Sequence, residues 1–154
     1  MNKIGTIIVA AFLLVACSAD AQTGQKTGFQ MGSDVDEIDI IRSEVEFQLL
    51  IYKEVMQYLG EMSETFSDGY LEPDAAVKKV MLLRHTYNQK TEGAPKEVMQ
   101  LKELMNKMFS RLENYFIHFK LTYRENPYVN SKVAETKFMV TREAERLQYE
   151  YGGY

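Results

Sequence analysis

The chain has no tryptophan, one cysteine, two histidines and only three prolines in its 154 residues. With Cys17 alone there is neither a disulfide framework nor a thiolate set for zinc. Three residues before His85 stands Leu82, and three before His118 stands Tyr115, so neither histidine completes the Glu-x-x-His motif of di-metal helical bundles. His-x-x-x-His, His-Glu-x-x-His, the Gly-x-Ser-x-Gly elbow and glycine-rich phosphate loops are missing as well. No run of alternating polarity is bounded by Asn-Gly or Asp-Gly in a way that marks a hairpin. Asp68-Gly69 falls between two helical patterns. An excess of basic charge is also absent. Net charge is -4, which argues against a nucleic-acid partner. The longest apolar run, Ile4 to Val15, falls short of the roughly 20 residues that cross a bilayer as a helix.

That run has a different use. Lys3 precedes it, small residues follow, and Ser18-Ala19-Asp20 turns abruptly polar, which is the order of a secretory signal. Its last residues, Leu14-Val15-Ala16-Cys17, resemble the lipobox of bacterial lipoproteins. The resemblance covers about the first 20 residues. It implies that the Cys17 sulfur takes up a diacylglyceryl group and that a peptidase cuts just before it. The acyl groups on Cys17 would be the only non-protein groups; no cofactor or metal is expected. The resemblance places the protein on the extracytoplasmic face of a bacterial cell membrane. Ser18 permits sorting to an outer membrane in a host that has one. Two or more acyl chains anchor stably where one binds marginally, so the mature body needs no membrane-binding face of its own.

The chain then divides into a signal peptide (1–16), a lipidated Cys with a tether (17–33) and a helical domain (34–154). The tether is small and polar apart from Phe29 and Met31, with an r.m.s. reach of about 20–25 Å. In the domain, Val45, Leu49, Tyr52, Met56, Leu59 and Phe66 follow alternating spacings of three and four, with Ser63 as the one gap, a helical stripe. Pro73 opens a second helix with Ala76, Val80, Leu83 and Tyr87 on its stripe. Pro95 opens a third, of about 29 residues and roughly 43 Å, carrying Val98, Leu101, Met105, Met108, Leu112, Tyr115, Phe119 and Thr122. Asn126-Pro127 supplies an N-cap and first-turn proline for a fourth, with Val133, Val140, Ala144, Leu147 and Tyr151 supplemented by Phe138; Gly152-Gly153 closes it. Short connectors favour antiparallel neighbours, hence an all-α, up-down-up-down four-helix bundle. The alternative is a three-helix core with a loosely packed fourth helix.

Chemistry is harder to find. The acids Glu44, Glu46, Glu54, Glu143, Glu145 and Glu150 alternate with Lys and Arg, which reads as solvated helix faces with weak pairs. His118, beside Phe119, fits a hydrogen-bonded boundary residue. The expectation is no catalytic residue, no metal site, and a non-enzymatic binding module for another envelope protein or cell-wall material. Two other classes compete. A ligand- or metal-carrying bundle would bring His85, His118 and acids to one buried cavity. An oligomerising structural lipoprotein would expose a second apolar stripe, for which Phe47, Ile51, Phe109, Phe116 and Tyr123 are the candidates. Tyr149 and Tyr154 are spare aromatics that could edge a binding patch.

Overall fold

In the computed structural model, residues 33–152 are described, with side chains from Glu37 onward. Cys17, the signal peptide, Phe29, Met31, Gly153 and Tyr154 lie outside the described residues. Four α-helices form among the described residues: α1 (Ser33–Ser67), α2 (Pro73–Lys90), α3 (Met99–Thr122) and α4 (Pro127–Tyr151). A 3-10 turn, Lys96–Val98, leads into α3, and no strand occurs among them. The all-α bundle of the sequence reading is therefore the fold. The third helix is shorter than expected: Pro95 stands before the 3-10 turn, and α3 itself has 24 residues.

Local chemistry sets the ends. After α1, Gly69 takes φ 77°. The Gly69 N–H donates to the Phe66 carbonyl and the Tyr70 N–H to the Thr65 carbonyl, both at 3.0 Å. This pair of bonds is a Schellman closure, and it needs the left-handed conformation that glycine adopts without strain. Asn126 caps α4 as expected, its Oδ1 accepting from the N–H of Tyr128 at 3.0 Å and of Val129 at 3.4 Å. Gly152 is the C-cap that closes α4, its N–H donating to the Gln148 carbonyl at 2.9 Å, though its backbone is extended rather than left-handed.

Each helix packs against two neighbours: α1 on α2 and α4, α3 on α2 and α4. The pairs run antiparallel. Lys120 near the end of α3 reaches Asp74 at the start of α2 at 2.6 Å, and Lys90 at the end of α2 reaches Glu54 midway along α1 at 3.3 Å. Lys53 on α1 donates to Gln148 near the end of α4 at 2.9 Å. The fourth helix is a full member of the bundle, since Val140, Ala144 and Leu147 are buried in the same core as Val45, Val80 and Phe109.

The stripes are largely the core, with corrections on three helices. Phe109 and Phe116, candidates for an exposed second stripe, are among the most buried side chains; Ile51 is buried too. On α4, Phe138 points to solvent, and Thr136 and Glu143 take buried positions instead. Thr122, the last residue of the α3 stripe, is exposed. Phe47 and Tyr123 are exposed as that reading required. A helix with two flanking neighbours buries a wider arc than a single stripe, and the additional arc holds Phe109 and Phe116 on α3 and Ile51 and Val55 on α1.

Candidate functional site

One end of the bundle gathers three exposed tyrosines, Tyr70, Tyr123 and Tyr128. Phe66, at the end of α1, packs edge-on against Phe119, at the end of α3, with ring centroids 5.1 Å apart. Lys120–Asp74 brings the start of α2 to the same level. The α1–α2 and α3–α4 connectors therefore share this end, and with them Tyr70 (84% exposed), Tyr123 (77%) and Tyr128 (69%), joined by Leu121. The Lys132 ammonium lies 5.8 Å from the Tyr128 ring centre.

Tyr123 carries a backbone cost besides. It caps α3 in the left-handed region, at φ 51° and ψ 28°, its N–H donating to the Phe119 carbonyl at 2.7 Å. That position usually belongs to glycine or asparagine, and a Cβ there costs roughly 1–2 kcal/mol. A tyrosine side chain so exposed recovers little of this by packing within the chain.

Below this end lies a cleft of about 290 Å³ between the last turn of α1, α3 and the first turns of α4. Phe66, Leu112, Tyr115, Phe116 and Val133 wall it, with Lys137 also in its lining. The Phe66 ring meets Phe116 at 4.8 Å and 68° and Tyr115 at 6.0 Å and 70°. Asn130 also lines the cleft. Its Nδ2 donates to Glu125 at 3.3 Å, while its Oδ1 is buried and accepts no hydrogen bond from the protein. A second groove, about 440 Å³, runs between α1 and α4 past Leu49, Tyr52, Ala144 and Tyr149. Tyr149, one of the two aromatics read as spare, stands at its edge; the other, Tyr154, is outside the described residues.

Two polar constellations escaped the sequence reading. Between α2 and α3, Asn88 and Asn106 exchange amide hydrogen bonds at 3.0 and 2.9 Å. Arg84 donates to Asn106 at 3.3 Å and pairs with Glu113 at 3.5 Å. Their spacing of 18 residues carries no local signal. On α4, Glu143 is only 6% exposed and accepts from Arg146 at 2.6 and 3.0 Å. Arg146 also pairs with Glu150. Glu143 is thus not on a solvated face, a correction. The hydrogen bonds from Arg146 to the two carboxylates hold its guanidinium above its ordinary pKa. The remaining acids behave as surface groups: Glu44, Glu46, Glu54 and Glu145 are exposed.

The two histidines play unlike parts. His85 is exposed on α2. His118 is half-buried, with Nε2 3.3 Å from Asn126 Nδ2 and Nδ1 3.4 Å from Thr122 Oγ1, the hydrogen-bonded boundary role expected of it. Among the described residues no three His, Cys, Asp or Glu side chains stand together as a metal set. No described helix is long and apolar enough to cross a membrane.

Burial pushes the Tyr87 phenol up from its ordinary pKa of 10.0; Tyr115 shifts the same way through burial and the Glu125 charge. The sign for stability follows. Above about pH 10 the unfolded chain releases a proton that the folded chain keeps, so the unfolded state binds fewer protons and stability falls with pH. Full stability holds below the unfolded pKa and declines as pH climbs toward the folded one. Urea midpoints are expected to stay level between about pH 8 and 9 and then drop, with a slope of up to about 1.4 kcal/mol per pH unit for one proton. Tyr87→Phe removes most of that slope; an unchanged slope in the variant would assign it elsewhere.

The chain matches no protein-family model, no curated protein and no solved structure.

Proposed function

We propose that this chain is a lipid-anchored, non-enzymatic binding module of the bacterial cell envelope, held by Cys17 and presenting the bundle at the end of a polar tether. One observation supports a recognition role most directly: the exposed tyrosines Tyr70, Tyr123 and Tyr128 share the bundle end opposite to the start of α1. A module tethered by its amino terminus has that end free to face outward. Tyrosine offers rigid, amphipathic contact area at low entropic cost, and it is enriched where proteins are recognised. The left-handed Tyr123 strengthens the case, because a strained, exposed aromatic at a cap points from backbone cost to function. The partner class that fits is another envelope protein, since charge at this end is mixed: Asp68, Glu72, Lys120, Arg124 and Glu125.

A tagged, lipidated chain used for capture from native envelopes tests this. The variant Tyr70→Ser/Tyr123→Gly/Tyr128→Ser is expected to retain helix content and to lose capture by about tenfold or more, on the scale of interface hot spots. Tyr123→Gly alone is expected to raise stability by about 0.5–1 kcal/mol while weakening capture. Equal capture by native chain and triple variant sinks the assignment of this end. Capture of cell-wall glycan instead would move the partner class, and recovery of the chain itself would favour self-association. The latter reading has its own support in Ile38, Ile40, Phe47 and Leu50, all exposed on the first half of α1.

A further inference from the structure

We propose that the outward face of α1 is a docking surface for a basic amphipathic helix of a partner protein. This inference rests neither on the tyrosine end nor on lipid attachment. α1 packs against α2 and α4, and the arc it turns away from them carries Ile40, Phe47, Leu50 and Tyr58, all exposed. Leu50 stands ten residues from Ile40, Phe47 seven and Tyr58 eighteen. At about 100° per residue the four fall within an arc of about 80°, in a row about 27 Å long. Single exposed apolar side chains are ordinary, but a row along one helix face marks an interaction surface. A straight row of this length suits another helix, whose apolar anchors recur every three or four residues. Beside Phe47 a cleft of about 400 Å³, lined also by Glu44, Lys90 and Glu92, gives such an anchor a place to enter.

The apolar row by itself suits a second copy as well as a foreign helix, and charge decides between them. α1 holds nine Asp and Glu against two bases, Arg42 and Lys53, while the whole chain is only -4, so the rest of the chain is net positive. Helix polarity accounts for acids in the first turns and for none beyond them. Glu44, Glu54 and Glu61 lie well beyond, on or beside the apolar arc, and all are exposed. The two bases lie eleven residues apart on the edge toward α4, where Lys53 donates to Gln148 at 2.9 Å. Lys90 of α2 reaches Glu54 at 3.3 Å and offsets one of the acids. A second copy laid on this face would set carboxylates against carboxylates, and an anionic bilayer would be repelled in the same way. A helix with Lys or Arg flanking its apolar anchors matches both the row and its rim.

The probe is a peptide of about 18 residues, long enough to cover the row as a helix, with Leu at heptad positions a and d, Lys elsewhere and one Trp. The chain has no tryptophan, so the peptide's emission is read without background. A twin with Glu in place of Lys is the charge control. Titration of the purified full chain is expected to give saturable binding of the Lys peptide at one per chain, with the Glu peptide weaker by about tenfold or more. Phe47→Ser/Leu50→Ser, at two exposed positions, is expected to lose about tenfold or more. Glu44→Lys/Glu61→Lys is expected to weaken the Lys peptide and to flatten the salt dependence of its binding. Tyr70→Ser/Tyr123→Gly/Tyr128→Ser is expected to bind it like the native chain, which separates this surface from the tyrosine end. Equal binding of the two peptides overturns the proposal, as does full binding by Phe47→Ser/Leu50→Ser or loss of binding in the tyrosine variant. A dimer seen by light scattering that Phe47→Ser/Leu50→Ser abolishes gives the face to a second copy and overturns it too.

Discussion

Phe116→Ala is expected to lower the unfolding free energy by about 4 kcal/mol, the scale of a large aromatic removed from a closed core. Phe116 is 1% exposed and sits where three helices meet, its ring 4.8 Å from Phe66 of α1 and 5.1 Å from Tyr115. Truncation removes its transfer free energy and leaves a void between rings that hold one another edge to face. The surrounding turns are helical and well anchored, so the void closes only in part. Phe138→Ala is the matched control: Phe138 is exposed on α4, with the Arg142 guanidinium 5.8 Å from its ring centre, and its loss is expected to stay within about 0.5 kcal/mol. Urea denaturation of both variants gives the comparison. A Phe116→Ala midpoint matching that of the native chain contradicts the packing described above and returns Phe116 to the surface stripe its sequence position suggested.

The second large effect concerns Cys17. Lipidation at this position predicts that labelled fatty acid supplied to the producing cells appears in the protein, and that Cys17→Ala reduces the label to background. Mass spectrometry of the native polypeptide is expected to find Cys17 as the first residue, heavier by its acyl groups. The effect on membrane retention is large because each buried methylene adds about 0.8 kcal/mol and two or three chains act together. A native polypeptide that keeps its first residues, or carries no fatty acid, removes the anchor and with it the argument for an outward-facing end.

Some of this was legible in the residues alone. Alternating spacings of three and four placed Val45, Leu49, Leu59, Leu101, Met105, Met108, Val140 and Leu147 in the core, where all are buried. Pro73 and Asn126-Pro127 marked helix starts that α2 and α4 observe, and Asp68-Gly69 marked the stop of α1. These signals work because they are local. A proline lacks an N–H, a glycine reaches positive φ freely, and a helical face repeats every 3.6 residues whatever surrounds it. Pro95 was read one step too far, because 3-10 turns are frequent at α-helix starts and one stands between Pro95 and α3.

What periodicity could not decide is how wide each buried face is and what meets across it. A stripe has two flanks, and only the placement of α2 and α4 beside α3 determined that Phe109 and Phe116 turn inward. The pairing of Asn88 with Asn106 and the closing of a cleft around Asn130 likewise depend on residues of different helices. The burial of Glu143 depends on the helices packed beside α4. The chain's own order therefore determined its helices, their ends and the line of its core. Tertiary structure alone determined which aromatics became core, which charge became buried and that Tyr70, Tyr123 and Tyr128 stand exposed at one end, since burial is a property of neighbours and not of spacing.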